Sequence, residues 1–253
     1  MIIMDDGIAL NARLDMPEGN PAKCPVMVLI HGVTGYHDEE HLNAVTRAMN
    51  EIGVAVLRSD MYGHGASGGT FHAHTLYKWV TNALTLTDYA RGLEFAEDIL
   101  LCGHSQGGLT AMLTAALKRD QIRALVALSP ACMIPEGARK GEILGRHFDP
   151  EHIPDVLEFG EGLTLSGNYL RVAQSIRVEE AVDRYDGPVL VVHGDADETV
   201  PVFWGRWAAE RYRNADLVLI SGDTHCYDNH LDLVTEEVRK WVKGLLEQSR
   251  DGR

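Results

Sequence analysis

The sequence predicts an α/β fold in which a mostly parallel central sheet carries helices on both faces. Short apolar, β-branched runs alternate with amphipathic stretches along nearly the whole chain, which is the pattern of βαβ units. The middle runs are apolar throughout, as expected for strands buried on both faces. The chain has 253 residues, and ordinary domains have roughly 100–200, with more in large α/β folds. We therefore expect one domain.

Strands are predicted from apolar, β-branched runs, and helices from the spacing of apolar residues. Apolar, β-branched composition predicts seven strands, and the first of them is expected to form an antiparallel edge. The predicted strands are 8–15, 26–30, 54–59, 99–103, 124–128, 189–193 and 217–220. Apolar residues at helical spacing predict five helices. These cover 42–52, 76–83, 109–116, 204–208 and 234–245.

One connection is far longer than a crossover between parallel strands requires. From Ser129-Pro130 to Gly187-Pro188 the chain uses more than fifty residues, although about a dozen would suffice. The prolines and glycines of this segment predict several short elements joined by turns. We therefore divide the chain into a core, residues 1–130 and 188–253, and an inserted lid, residues 131–187. The lid is expected over the carboxyl edge of the sheet, where such sheets bind ligands.

Charge and composition exclude several classes of partner. Lys and Arg number 23 against 37 Asp and Glu, for a formal charge of −14, so phosphate backbones and anionic headgroups are repelled. The longest apolar run is five residues, whereas a membrane span needs about 20. We expect neither nucleic acid nor a membrane as a partner. The first residues do not resemble a secretion signal, so a cytoplasmic location is expected.

Cysteine and histidine patterns give no sign of a metal or a disulfide framework. The four cysteines are scattered, and we expect them to be reduced. No metal-ligand spacing is present, and the stretch 36–41, rich in possible ligands, is predicted to be a solvated helix start. Histidines beside turn glycines or serines are predicted to be scaffold residues. They are His31, His64, His104 and His193.

The sharpest local motif is Gly103-His104-Ser105-Gln106-Gly107-Gly108, which lies between a predicted strand and a predicted helix. This arrangement is typical of a nucleophile elbow, a turn so tight that side chains two residues before and after the serine would collide. The helix that follows directs its free N–H groups and positive dipole end toward a developing oxyanion. Ser105 is therefore the predicted nucleophile.

A serine nucleophile needs a histidine base, and that base needs a carboxylate that follows the serine in the chain. Two predicted strand ends supply candidates, Asp195 or Asp197 after one and His225 or His230 after the other. The residues alone leave both pairs open. Asp197 is favoured because Asp195, at the strand end, fits a carboxylate that satisfies turn backbone. His225 lies in a turn, and His230 is predicted to begin the last helix.

The turn His31-Gly32-Val33-Thr34-Gly35 follows the second predicted strand, where this architecture places the second oxyanion donor. We assign that hole to the backbone N–H groups of Val33 and Gln106. Each such donor is worth roughly 3–4 kcal/mol in the transition state.

Taken together, these motifs resemble the α/β-hydrolase superfamily and, within it, the bacterial cinnamoyl (feruloyl) esterases. The resemblance also rests on residues 60–67, 129–135, 167–169, 193–201 and 222–228 and covers nearly the whole chain. It implies Ser105, Asp197 and His225 as the triad, and an aromatic acyl group held between lid and core. Lid contacts are expected from Met133, Phe159 and Tyr169.

The expected function is that of a serine carboxylester hydrolase that cleaves hydroxycinnamate esters through an acyl-enzyme, without a cofactor or metal. Its expected partner is a small-molecule ester, and a homodimer is left open. Alternatives within the fold are a medium-chain acyl ester or monoacylglycerol lipase and an acyl thioesterase. A different class, a ligand-binding receptor with an unused triad, would react slowly or not at all with a fluorophosphonate probe.

Overall fold

The computed structural model describes residues 1–251 and contains one eight-stranded sheet. Its strands, numbered in chain order with β7 to β10 kept for the insert, are β1 (Ile2–Asp5), β2 (Ile8–Asp15), β3 (Cys24–Ile30), β4 (Ala55–Ser59), β5 (Ala96–His104), β6 (Ala124–Leu128), β11 (Val189–Gly194) and β12 (Ala215–Ile220). The order across the sheet is β1-β2-β4-β3-β5-β6-β11-β12. All pairs from β4 to β12 are parallel, which confirms the predicted fold class.

The antiparallel edge differs from the prediction in one respect. β2 pairs antiparallel with β4, as expected, but β1 lies outside it and forms the edge. The turn between β1 and β2 is Asp6-Gly7, with φ of 45° and 80°. This dipeptide favours a two-residue hairpin turn because both residues tolerate positive φ. The Asp6-Gly7 dipeptide therefore indicates a hairpin, and with it the strand β1, which has only four residues.

Helices cover both faces of the sheet. The five predicted helices are α1 (Glu40–Glu51), α2 (Leu76–Arg91), α3 (Gln106–Leu117), α7 (Phe203–Arg211) and α8 (Leu231–Asp251). Alternate residues of β3 enter two separate apolar clusters, Val26 and Val28 in one and Met27 and Leu29 in the other. The helices α1 and α8 pack on the second cluster, and the remaining three pack on the first. This two-sided burial accounts for the unbroken apolar runs.

The long connection between β6 and β11 contains several short elements, as predicted. They are α4 (Met133–Lys140), β7 (Glu142–Ile143), β8 (Arg146–His147), β9 (Val156–Gly160), β10 (Leu163–Ser166), α5 (Gly167–Ser175) and α6 (Val178–Arg184). Buried residues of the insert, such as Leu157 and Leu165, join the cluster that includes α3. The helix α6 packs directly on α3. The insert therefore ends in a helix that packs on the core.

Among the described residues, no helix combines the length and the apolar character needed to cross a membrane. All four cysteines are free, three of them buried.

Candidate active site

Ser105 lies at the junction of β5 and α3 in a strained conformation, with φ of 56° and ψ of −122°. Such a conformation is sparsely populated for a residue with a side chain and persists only where neighbours impose it. Its N–H donates to the Leu128 carbonyl at 2.9 Å. A Cβ at Gly103 would lie 2.2 Å from the Gly107 carbonyl oxygen, and one at Gly107 would lie 2.3 Å from the His31 carbonyl oxygen. Glycine is therefore sterically required on both sides of the serine.

Asp197 is the carboxylate that reaches His225. Its Oδ2 lies 2.7 Å from His225 Nδ1, and its Oδ1 accepts the N–H groups of Thr199 and Val200 at 2.9 and 2.8 Å. Asp195 is exposed and accepts the N–H of Gly222 instead. The loop after β11 thus orients one carboxylate toward the loop after β12 and uses the other to hold the backbone of that loop.

Asp197 is held in its charged form. Burial pushes the pKa of this carboxyl upward, but hydrogen bonds from His193 and His225 and from the Val200 N–H outweigh burial, so the pKa falls well below its usual range. His193 Nε2 lies 2.9 Å from the Val200 carbonyl and 3.2 Å from Asp197 Oδ2. A carbonyl can only accept, so this nitrogen carries the proton. His193 is thus a scaffold residue, as predicted, and it supports the carboxylate.

His225 is the predicted general base, and it lies beside the elbow. When the ring carries one proton, an ionised Asp197 accepts it on Nδ1, and the lone pair is then on Nε2. The ring lies 4.6 Å from the ring of His104, the residue before Ser105. His230 lies elsewhere, at the start of α8, where its carbonyl accepts the N–H groups of Leu233 and Val234. The structure therefore brings Asp197 and His225 together beside the elbow and leaves Asp195 and His230 apart.

The two main-chain N–H groups predicted for the oxyanion hole belong to segments that meet at the elbow. Gln106 is the first residue of α3, where an N–H has no intrahelical acceptor. The loop after β3 lies against the elbow, since a Cβ on Gly32 would lie 3.1 Å from Ser105 Cβ. Within the described chain, neither the Val33 N–H nor the Gln106 N–H has a hydrogen-bond acceptor. Both groups are therefore free to donate to a ligand.

The loop that carries Val33 is fixed at both ends. His31 accepts the Met61 N–H through Nε2 at 2.9 Å, and its Nδ1 lies 2.7 Å from the Gly32 carbonyl. Burial, followed by the neighbouring His64, lowers the pKa of His31 to about 3, so it is neutral at neutral pH. At the other end, Asp60 Oδ1 accepts both the N–H and Nδ1 of His37, at 2.8 and 2.7 Å.

The prediction of a solvated helix start at 36–41 is partly wrong. His37 is half-buried against Asp60, and His41 is buried against His104. Burial pushes the pKa of Asp60 upward, but hydrogen bonds from Asn11, the Ala66 N–H and His37 outweigh it and lower the pKa to about 2. The spacing of His41 with Val45 and Ala48, both buried, could have indicated that His41 faces inward.

The three predicted lid contacts occupy different environments. Met133 is the half-buried first residue of α4, and Phe159 on β9 packs on Phe71 with ring centroids 5.6 Å apart. Tyr169 is fully buried, and its hydroxyl donates to Gln106 Oε1 at 2.7 Å. Tyr169 therefore supports the residue after Ser105, and the prediction that it offers a surface to substrate does not fit this burial. In the described part of the chain, no three or more His, Cys, Asp or Glu side chains are grouped so that they could bind a metal ion.

This combination of a parallel sheet, a strained serine at a helix N-terminus and a buried Asp-His pair defines a hydrolase of the α/β-hydrolase fold. A family model described as serine aminopeptidase, S33, matches residues 21–156, more than half of the chain, and a model described as TAP-like protein matches residues 168–248. The chain belongs to the serine aminopeptidase S33 family of the α/β-hydrolase superfamily, which confirms the predicted superfamily.

Individual relatives extend this assignment. Est1E from Butyrivibrio proteoclasticus, solved with ferulic acid bound, is 57% identical, with 98% of this chain and 99% of that chain covered and a TM-score of 0.97. The monoacylglycerol lipase of Mycolicibacterium smegmatis is 26% identical, with 86% of this chain and 87% of the relative covered. The Paleococcus ferrophilus monoacylglycerol lipase, 21% identical with a TM-score of 0.70 over 93% of this chain and 99% of that one, shares the fold.

Proposed function

We propose that this protein is a serine carboxylester hydrolase that cleaves hydroxycinnamate esters, such as feruloyl and p-coumaroyl esters, through an acyl-enzyme. The observation that carries the hydrolytic part is the 2.7 Å contact between His225 and the buried carboxylate of Asp197, in a loop adjacent to the strained Ser105. The choice of acyl group is supported by the 57% identity to Est1E, whose structure holds ferulic acid.

In the proposed mechanism, Ser105 Oγ attacks the ester carbonyl while His225 Nε2 accepts its proton. Asp197 stabilises the resulting imidazolium and does not itself become protonated. The Val33 and Gln106 N–H groups donate to the carbonyl oxygen as it becomes an oxyanion, each contributing roughly 3–4 kcal/mol. The tetrahedral intermediate then collapses, and the C–O bond to the alcohol breaks as His225 returns the proton to the departing oxygen.

Deacylation repeats these steps with water in place of the alcohol. His225 takes a proton from water, the hydroxide adds to the acyl carbonyl, and the same two N–H groups hold the oxyanion. Collapse releases the hydroxycinnamic acid and returns the proton to Ser105 Oγ. Water is the only reactant besides the ester, so the proposed reaction uses no cofactor.

The insert is proposed as a lid that encloses the aromatic acyl group. Its contacts with the core support this role, since Phe159 packs on Phe71 and the Thr164 hydroxyl lies 2.9 Å from His72 Nδ1. A small-molecule ester is the proposed partner, and a homodimer is compatible with this reaction. The four free cysteines favour a reducing compartment, in line with the expected cytoplasmic location.

Substitution of the nucleophile tests the hydrolytic proposal. Ser105→Ala is expected to abolish turnover of methyl ferulate and stoichiometric labelling by a fluorophosphonate probe, with an unchanged melting temperature. Ser175→Ala is the matched control because this exposed serine lies on α5, and it should retain both properties. Turnover in Ser105→Ala would contradict the proposal. Tight ligand binding without labelling of the wild-type chain would indicate a receptor.

A monoacylglycerol lipase is the second candidate, favoured by the relative in Mycolicibacterium smegmatis. A hydrolysis panel separates the two candidates. It should contain methyl ferulate, methyl p-coumarate, short p-nitrophenyl esters, a monoacylglycerol and an acyl-CoA. We expect the highest kcat/KM for the phenylpropenoic esters. A strong preference for long aliphatic chains would replace the proposed acyl group, and a preference for the acyl-CoA would indicate a thioesterase.

A further inference from the structure

We propose that His104 and His41 are positioning residues, which hold the main chain of His225 beside Ser105 through a directed pair of hydrogen bonds. The inference rests on the proposed function, in which His225 is the general base. It concerns two histidines that take no part in the chemical steps above. One was predicted only as scaffold, and the other lies in the stretch predicted to be a solvated helix start.

The contacts form one continuous line through the site. His41 Nε2 lies 3.2 Å from His104 Nδ1, and His104 Nε2 lies 2.8 Å from the His225 carbonyl oxygen. His104 is 3% exposed and His41 is 6% exposed, so water does not compete for these bonds. The line joins α1, the end of β5 and the loop after β12, three segments that are remote from one another in the chain.

The hydrogen bonds permit only one arrangement of protons. The His225 carbonyl can only accept, so His104 Nε2 must carry a hydrogen. Burial, followed by the neighbouring His41 and His225, holds the pKa of His104 well below its usual range, so the ring is neutral and its Nδ1 has a lone pair. His41 Nε2 must therefore donate to that lone pair. Each ring is assigned to the tautomer that is protonated on Nε2.

The neutrality of both rings matters for the proposed base. Burial, followed by His225, lowers the pKa of His41 to about 4. The His104 ring lies 4.6 Å from the His225 ring, so a charge on His104 would repel the imidazolium that forms during the reaction. A neutral histidine supplies a hydrogen-bond donor at this place without that repulsion, whereas lysine or arginine would bring a permanent charge.

The position of the bonded carbonyl explains why this line affects catalysis. The Asp197 bond holds the His225 ring at Nδ1, and the His104 bond holds the same residue at its backbone. With both in place, the ring cannot turn about the carboxylate away from the elbow. Misplacement of a catalytic group by about 1 Å can cost about 10²-fold in rate. Loss of the His104 bond is therefore expected to lower kcat and to leave ground-state binding of the ester unchanged.

Two pairs of variants test this role. His104→Leu removes both hydrogen bonds, whereas His104→Gln keeps an N–H donor and a carbonyl acceptor at the end of the side chain. We expect kcat for methyl ferulate to fall by roughly 10 to 100-fold in His104→Leu, at constant KM, and to recover to within about threefold of wild type in His104→Gln. His41→Leu and His41→Gln should show the same contrast with smaller losses.

A spectroscopic reading is independent of activity. In ¹⁵N-histidine NMR spectra at neutral pH, His104 and His41 should each show a protonated Nε2 and an unprotonated Nδ1, in the wild type and in Ser105→Ala alike. The opposite tautomer at either residue, or wild-type kcat in His104→Leu, would overturn the inference and leave the proposed function standing. Activity in Ser105→Ala would contradict the proposed function instead. If His104→Leu does not fold, the spectra and the His41 pair still decide.

Discussion

His225 and Asp197 share a 2.7 Å hydrogen bond, and the carboxylate in it is also held by its own loop. The second oxygen of Asp197 accepts two N–H groups of its own loop, and the carboxylate side chain is fully buried. The histidine is therefore oriented by a rigid acceptor. Because the anion is held by several donors, it stays charged and accepts the proton on Nδ1 of His225.

Replacing Asp197 should be far more damaging than replacing its neighbour Asp195. Asp197→Asn removes the charge and favours the wrong tautomer of His225, so we expect kcat for methyl ferulate to fall by about 10³ to 10⁴-fold. Asp195→Asn changes an exposed residue whose side chain accepts the Gly222 N–H, and a loss below about tenfold is expected at a surface turn. Steady-state kinetics on both variants give the ranking, and the reverse order would assign the acid to Asp195.

Tyr169 should act through Gln106. Tyr169→Phe leaves Gln106 Oε1 buried without its donor, and a lost partner of this kind costs about 1–3 kcal/mol of unfolding free energy. Since Gln106 also supplies an N–H to the proposed oxyanion hole, a few-fold lower kcat is expected. Tyr77→Phe is the control, because its hydroxyl contacts Ser175 at the surface. Urea denaturation should place this control within about 0.5 kcal/mol of wild type.

The elbow should not tolerate a methyl group at Gly103. An added Cβ would meet the Gly107 carbonyl at 2.2 Å, and both groups are backbone. We expect Gly103→Ala to cost at least about 3 kcal/mol, the upper end of overpacking penalties. Gly244→Ala is the matched control, because Gly244 lies within α8 and a Cβ there has no neighbour within 4 Å. It should gain up to about 1 kcal/mol in thermal or urea unfolding. Equal effects would contradict the steric account.

Acid should destabilise the protein through its buried histidines. Burial, followed by the neighbouring His64, lowers the pKa of His74 from 6.5 to about 3, so between these values the unfolded chain binds a proton that the fold excludes. The stability from this residue is complete above about pH 6.5 and is lost as the pH falls toward 3. Each such histidine contributes at most about 1.4 kcal/mol per pH unit. His31 and His41 add to the same slope.

Replacing His74 should reduce this slope. His74 Nε2 is buried without a partner, and the ring packs among Phe71, Trp79 and Tyr169, so phenylalanine fits the same aromatic environment. In urea titrations between pH 6 and 4.5, His74→Phe should lose up to about 1.4 kcal/mol less per pH unit than wild type. Between pH 7 and 9 the two proteins should show parallel curves. An unchanged acid slope would mean that His74 is not the group that titrates.

The local part of the site could be predicted from the sequence because its signals are local. Strand 124–128 was predicted with its observed ends, and the glycines around Ser105 were predicted for the steric reason that the structure shows. The sequence favoured Asp197 over Asp195 but did not exclude Asp195. The two residues lie in one loop, and only the structure shows in which direction each side chain points. The edge strand β1 was missed because four residues give too short an alternation to detect.

The alternation of apolar runs and the tight turn at Ser105 by themselves determined the class of fold and the predicted nucleophile, since both depend on neighbours in the chain. Only the tertiary structure decided the remote partners. His41 meets His104 across 63 positions, and His104 meets the His225 carbonyl across 121. Tyr169 reaches Gln106 across 63. Such contacts depend on the order of the strands in the sheet and on how the helices and the insert pack on it. The periodicity of apolar residues along the chain predicts neither.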